Sequence, residues 1–130
     1  MIHVVKQDIT QMPVDVIVNA ANPAMLGGMG VDGAIHLAAG LELRNYCASM
    51  RMDGQSQRCP TGQSRITPGF QIPAKWIVHT VGPVWDPEDP MWGYTMLENA
   101  YRSALGCAVV LGAHSVALPA ISCGIYRFPA

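Results

Sequence analysis

The sequence predicts an α/β domain built on a largely parallel sheet, and three observations carry that expectation. Hydrophobic periodicity changes character several times along the 130 residues. Short β-branched runs alternate with longer stretches whose apolar residues recur every three or four positions. Half of the residues are hydrophobic and 13% are charged, which suffices for one core and is the reverse of a disordered composition. Segments rich in glycine or asparagine follow three of the strand-like runs, where the ends of strands in α/β sheets bind ligands.

The elements follow in order. Residues 2–5 (I-H-V-V) are a β-branched run read as the first strand, with Asp8 and Ile9 at its end. Residues 14–19 (V-D-V-I-V-N) are a second, more apolar strand. A long loop follows, and residues 34–50 read as one helix with Ile35, Ala38, Ala39, Tyr46, Cys47 and Met50 on a single face. Asp32 stands just before it, where an N-cap would sit. Residues 53–62 are polar and rich in breakers and are read as loop. Residues 64–67 are a short strand closed by Pro68 and Gly69, and residues 75–81 (K-W-I-V-H-T-V) are a strong one. Pro83, Pro87 and Pro90 exclude regular structure from 82–90. Residues 95–111 form the second helix, with Leu97, Ala100, Tyr101, Ala104, Leu105, Ala108 and Leu111 along one side and Gly112 as its C-cap. Residues 116–118 are the last strand, ended by Pro119.

Composition removes several function classes. Eight basic and nine acidic side chains give a net charge of -1, and the lysines are Lys6 and Lys75 alone. Nucleic acid is therefore not an expected partner, because neutralising its phosphates takes clustered Lys and Arg. The four cysteines, at 47, 59, 107 and 123, include no C-x-x-C pair and the four histidines are scattered. No metal site is expected from that spacing. The chain opens M-I-H-V-V-K-Q-D, without an apolar leader. Its apolar stretches fall short of the roughly 18 residues a membrane span needs. The expectation is a single domain over 1–130, reduced, cytoplasmic and without a membrane partner.

Four segments carry candidate chemistry. Residues 28–33 (G-M-G-V-D-G) match G-x-G-x-x-G literally. The nicotinamide fingerprint, however, opens a helix directly after a strand and has an acidic residue at the next strand end. Here the motif starts well after Asn19, and Asp53 falls in a loop, so a dehydrogenase reading is disfavoured. What survives is that glycines admit close backbone approach and a helix N-terminus favours anions. Asn19 and Asn22, in N-A-A-N-P, carry donors and acceptors suited to sugar hydroxyls, or form turns. Residues 122–126 (S-C-G-I-Y) form either a nest of N–H groups for phosphate or an ordinary strand-to-helix turn. Asp8 alone is a solvated charge or a turn-former.

Five segments together resemble the macrodomain family, most closely its MacroD-type branch of O-acetyl-ADP-ribose and ADP-ribosyl-protein hydrolases. They are V-D-V-I-V-N-A-A-N (14–22), G-G-M-G-V-D-G-A-I-H (27–36), C-P-T-G (59–62), I-V-H-T-V-G-P (77–83) and L-P-A-I-S-C-G-I-Y-R-F-P (118–129). The resemblance implies a three-layer α/β/α fold with a mixed, largely parallel sheet and ADP-ribose in a cleft over the sheet, with no cofactor. By position it implies that Asp8 accepts from the adenine amino group beside the Ile9 backbone. Asn22 would hold the distal ribose, with Asn19 and Ala20 in the same binding set. Gly30, Val31 and Asp32 would cover the diphosphate and distal ribose, Asp32 acting as proton acceptor for water. Ser122, Cys123, Gly124, Ile125 and Tyr126 would form a second phosphate loop, Ile125 bridging the pyrophosphate and Tyr126 packing on the distal ribose. Backbone N–H groups can bind two phosphates without basic residues, which is consistent with the charge balance.

The chain departs from the family at named places. Met29 stands where members often have glycine, Arg127 where many have glycine, and Leu37 where arginine is frequent. Family members also continue past the second phosphate loop with a helix, a strand inside the sheet and a last helix. The expectation is thus a C-terminally incomplete macrodomain, completed by a second copy, an exchanged element or a separate fragment. The leading function is hydrolysis of O-acetyl-ADP-ribose or of mono-ADP-ribosyl esters on acidic side chains, with catalytic Asp32 and Asn22. The alternatives are a non-catalytic ADP-ribose-binding module, which mono-ADP-ribosylated proteins would also engage, and a regulatory fragment.

Overall fold

The computed structural model describes residues 1–124 and 126–129. Four strands occur among them: β1 (Val16–Ala20), β2 (Ser64–Pro68), β3 (Trp76–Thr80) and β4 (Val116–Ala117). They lie side by side in the order β2-β3-β1-β4. β1 runs parallel to β3, with Val16 opposite Trp76 and Asn19 opposite His79, and parallel to β4. β2 pairs antiparallel with β3, so the sheet is mixed and largely parallel, as the sequence predicts.

Side-chain alternation along the strands makes three layers. Ile17 and Ile77 point to one face, into a cluster with Ile35, Ala39, Leu43 and Cys47. These come from helices α1 (Gly30–Ala39) and α2 (Leu41–Ala48). Val16, Val18 and Val78 point to the other face and pack with Ala104, Leu97 and Tyr101 of α3 (Pro90–Val110) and with Ile121. Each fully buried Val or Ile contributes about 1.5–3 kcal/mol relative to exposure, so β1 and β3, buried on both sides, anchor the molecule.

Three elements differ from the sequence expectation. Residues 2–5 are not a strand, and residues 1–8 are exposed throughout. A β-branched run becomes a strand only when a neighbour pairs its backbone groups, and among the described residues no strand lies alongside it. Regular structure begins instead at a 3-10 turn, Ile9–Gln11, which Asp8 caps by accepting from the Thr10 N–H and hydroxyl at 3.0 and 2.7 Å.

The helix expected over 34–50 is two helices. Gly40 breaks it at φ +91° and ψ 174°, its N–H still donating to the His36 carbonyl. That backbone region is essentially confined to glycine. The apolar face runs straight across the break, since Ile35, Ala39, Leu43 and Cys47 share one cluster, which is why periodicity reads through it. α1 also starts earlier than expected. Met29 is its N-cap and Asp32 lies in its first turn, so the N-cap placement of Asp32 is corrected. α3 begins at Pro90 rather than 95, with the Asp89 carboxylate accepting from the Trp92 N–H at 3.3 Å. An acidic cap followed by proline at the first helical position is a regular helix start. The exposed first turn, Met91 and Trp92 included, hides it from the apolar pattern.

Gly40→Ala places a side chain in a conformation that L-residues avoid, at a strain of about 1–3 kcal/mol. Urea unfolding should show a loss of that size. An unchanged midpoint would mean that the α1–α2 break does not need glycine.

Candidate functional site

Because β1, β3 and β4 run parallel, their carboxyl ends share one edge of the sheet. The segments that leave them enclose a cavity of about 470 Å³ lined by residues 20–22, 28–32, 82, 119–122, 124 and 126. Of the residues singled out in the sequence, Ala20, Asn22, Gly30, Val31, Asp32, Ser122, Gly124 and Tyr126 meet there. Four others do not line it. Asp8 is engaged with Thr10 and Ile9 starts the 3-10 turn. Asn19 lies wholly buried beneath the cavity floor, and Cys123 is exposed to solvent. Ile125 lies outside the described residues. A wider groove, about 650 Å³, is lined in part by Arg51, Arg58 and Arg65. There the Arg58 and Arg65 guanidinium groups already donate to backbone carbonyls of Ala24, Arg58 and Ser64.

Each wall of the smaller cavity has a local cause. Gly30, Val31 and Asp32 are the first turn of α1, whose N–H groups have no carbonyl one turn upstream and carry the positive end of the helix dipole. This makes the turn an anion site. Asn22 clamps the approach to it. Its Nδ2 donates to the Gly27 carbonyl at 3.1 Å and its Oδ1 accepts from the Met25 N–H at 3.0 Å. The turn-forming role of Asn22 is therefore real, and the same residue faces the cavity. Met29, 74% exposed, is part of the lining.

The opposite wall follows β4. Gly82, just past β3, lies so near this loop that an added Cβ would overlap Ser122 Oγ and Ile121 Cγ2. Ser122 is buried at φ +65°. The loop is closed on itself by the Phe128 N–H donating to the Ser122 carbonyl at 2.9 Å, and is tied to the neighbouring loop by the Trp85 N–H donating to the Tyr126 carbonyl at 2.7 Å. Trp85, Tyr94 and Phe128 stack edge to face with ring centroids 4.9 to 5.7 Å apart, fixing the outer end. Arg127 sits at φ +61°, in the left-handed region that favours glycine.

Among the described lining residues Asp32 alone carries a formal charge, and it is 4% exposed. Its Oδ1 accepts from Asn19 Nδ2 at 2.8 Å. Burial raises its proton affinity, while the Asn19 bond and His36 act the other way. Oδ2 lies toward Gly28, 3.1 Å from where a Cβ on that residue would be. The sequence reading missed two histidines. His36, one turn along α1, has Nε2 3.6 Å from Asp32 Oδ1, and burial lowers its pKa against the pull of Asp32. The D-x-x-x-H spacing was a findable signal, since residues four apart share a helix face. His79 is 0% exposed in the middle of β3, between Asn19 Nδ2 at 3.1 Å and Thr67 Oγ1 at 2.9 Å. Burial drives its pKa down to about 3, so the ring is neutral. Tyr126 is half-buried, and burial first, then Asp32, raises its pKa, which keeps the phenol protonated.

Comparisons with known proteins agree with this fold. The family model described as Macro domain matches residues 18–130. The O-acetyl-ADP-ribose deacetylase of Escherichia coli (strain K12) is 50% identical over 132 residues, covering 98% of this chain and 71% of that protein. A macro domain-containing protein of Xanthomonas campestris is 51% identical over 134 residues, with the same coverage. Among solved structures, the Oceanobacillus iheyensis macrodomain with ADP superposes with a TM-score of 0.87 at 48% identity, over 95% of this chain and 65% of that one. The Trypanosoma brucei macrodomain in complex with ADP gives a TM-score of 0.80 at 43% identity, over 94% of this chain and 47% of that one. The chain thus spans just under two thirds of the Oceanobacillus chain.

Asp32 also makes stability depend on pH. Its folded-state pKa lies above the ordinary 3.8, so its stabilising contribution is complete below that value and is lost as pH rises through the folded pKa. Asp32→Asn cannot ionise and keeps an oxygen for Asn19. It should be more stable than the parent by about 0.5–2 kcal/mol near neutral pH, with the gap closing as both are acidified. Urea melts across pH check this; a gap independent of pH would mean the carboxylate is not strained by burial.

Proposed function

This chain belongs to the macro domain family, and from that membership we propose that it binds ADP-ribose in the 470 Å³ cavity and hydrolyses esters of it. The substrates are O-acetyl-ADP-ribose and mono-ADP-ribosyl esters on acidic protein side chains. The single observation that carries the reading is the placing of a buried, hydrogen-bonded carboxylate, Asp32, in the same turn whose N–H groups suit a diphosphate. The deacetylase name of relatives at about half identity supports the reaction class, and the ADP in related solved structures supports the ligand.

In this reading the diphosphate rests between the first turn of α1 and the loop at 120–126, held by backbone dipoles. Lysine and arginine are not among the described lining residues. The distal ribose lies against Asn22 and Tyr126, with its ester beside Asp32. A water bound to Asp32 Oδ2 gives its proton to the carboxylate as its oxygen attacks the acyl carbon. The bond from that carbon to the ribose oxygen then breaks, and the proton passes to the departing ribose oxygen, leaving a carboxylic acid and ADP-ribose. Desolvation makes Asp32 a stronger base than an exposed aspartate. Asn22 keeps the loop before α1 at the right distance for the ribose.

Titration calorimetry should detect ADP-ribose binding to the parent. Asp32→Ala should reduce single-turnover hydrolysis by about 10² to 10⁴-fold while ADP-ribose affinity stays within a few-fold. A loss under about threefold would remove the general-base role. The parent rate should fall on acidification, with a midpoint above 3.8 because the carboxyl is raised. Gly82→Ala displaces Ser122 and Ile121 and should weaken ADP-ribose binding at least about tenfold, as overpacking strain of about 1–3 kcal/mol implies. Unchanged affinity would place the ligand elsewhere.

A further inference from the structure

Four buried polar side chains form one continuous line across the sheet: Thr67 on β2, His79 on β3, Asn19 on β1 and Asp32 on α1. We propose that His79 is a positioning residue for the proposed hydrolysis, which this inference presupposes: as a proton acceptor at Nδ1 it locks the Asn19 amide with its NH₂ toward Asp32, so that Oδ1 is held and Oδ2 is left free to take a proton from water.

The assignment follows from counting donors. The Asn19 nitrogen lies 2.8 Å from Asp32 Oδ1 and 3.1 Å from His79 Nδ1, and its two hydrogens serve one each. Reversing the amide would set its oxygen against the carboxylate, so Asp32 fixes which way the nitrogen points and an acceptor at Nδ1 holds it there. Nδ1 must then be unprotonated, which puts the ring hydrogen on Nε2, 2.9 Å from Thr67 Oγ1. The Thr67 hydroxyl accepts it and donates its own hydrogen to the Pro68 carbonyl at 3.1 Å. Every proton in the line has one place, and donation runs outward from the Asn19 amide, to Asp32 on one side and through His79 and Thr67 to the Pro68 carbonyl on the other. Asn19, His79 and Thr67 are each 0% exposed, so water does not compete for these bonds. Among the described residues, the side-chain Oδ1 of Asn19 has no hydrogen-bond partner. A buried orphan acceptor is destabilising, and aiming the nitrogen at Asp32 accounts for tolerating it.

Besides burial, the Asn19 bond and His36 on its own helix act on the titration of Asp32. Cys47 on α2 and Tyr126 in the loop after β4 feel its charge in turn, their own pKa values being raised by burial first and then by Asp32. His79 on β3 is the titratable ring that shares the Asn19 amide.

Thr67→Val is isosteric and lies away from the cavity lining. It takes away the acceptor of the Nε2 hydrogen, allowing the ring to exchange its tautomer and turn Nδ1–H toward Asn19. The expected result is a kcat lowered about tenfold, the scale of one hydrogen bond to a charged group. KM and ADP-ribose affinity should stay within about twofold, and the acid limb of the rate profile should move to higher pH as Asp32 loses a donor. His79→Asn retains an acceptor near Nδ1 and should recover part of the rate, whereas His79→Leu should not. An unchanged kcat and acid limb in folded Thr67→Val overturns the proposal. A readout free of activity separates it from the hydrolase reading: ¹⁵N shifts of His79 in the parent should report a neutral ring protonated at Nε2. A ring protonated at Nδ1 overturns the lock whatever the rates. Conversely, an Nε2–H ring in a parent that hydrolyses no ester refutes the hydrolase reading and, with it, the catalytic purpose of the lock.

Discussion

A carboxylate taken out of water must find donors or give up its charge, and much of this molecule's layout follows from how Asp32 finds one. The donor is the amide of Asn19, a neutral side chain rather than a cation, brought to it from the end of β1. That single bond joins the helix carrying the anion-favouring turn to the central strand of the sheet. Asn19 can be offered there because it stands opposite His79 in the parallel pairing of β1 with β3. A one-residue slip of that register would put Asn19 and His79 on opposite faces of the sheet. Pairing register, helix docking and carboxylate placement are therefore one constraint seen at three scales.

The cavity depends on close approach as much as on charge. Gly82 lets the loop after β4 come within contact of the segment after β3. The aromatic trio of Trp85, Tyr94 and Phe128 then fastens that loop to the start of α3. The site is thus built from both outer layers, α1 on one side of the sheet and the α3 side on the other, with the strand ends as its floor.

Much of this was legible in the residues. The buried strands β1 and β3 announce themselves as β-branched runs, and the convergence of three Gly- or Asn-rich segments follows from the parallel topology. What was hidden was hidden for physical reasons. Residues 2–5 have the composition of a strand, but composition cannot supply a neighbour to pair with. The break at Gly40 is invisible to periodicity because Ala39 and Leu43 keep the same buried face on either side of it. Asn19 and Asn22 look alike in N-A-A-N; register buries the first under the cavity, while the second is left to clamp a loop. His79 sits in an apolar run where alternation shows burial and nothing more, and its partner Thr67 comes from another strand entirely.

The absence of lysine and arginine from the described cavity lining has a consequence for selectivity in a crowded solution. Polyelectrolytes gain much of their affinity for proteins by releasing condensed counterions from a row of basic side chains, and that gain collapses as salt rises. A hollow that held a diphosphate through fixed amide dipoles, as proposed, would offer no such entropic reward to a long polymer. Under the proposed function it would discriminate by whether a compact ligand fits the spacing of its N–H groups, and its affinity would fall less steeply with salt than that of a row of basic side chains.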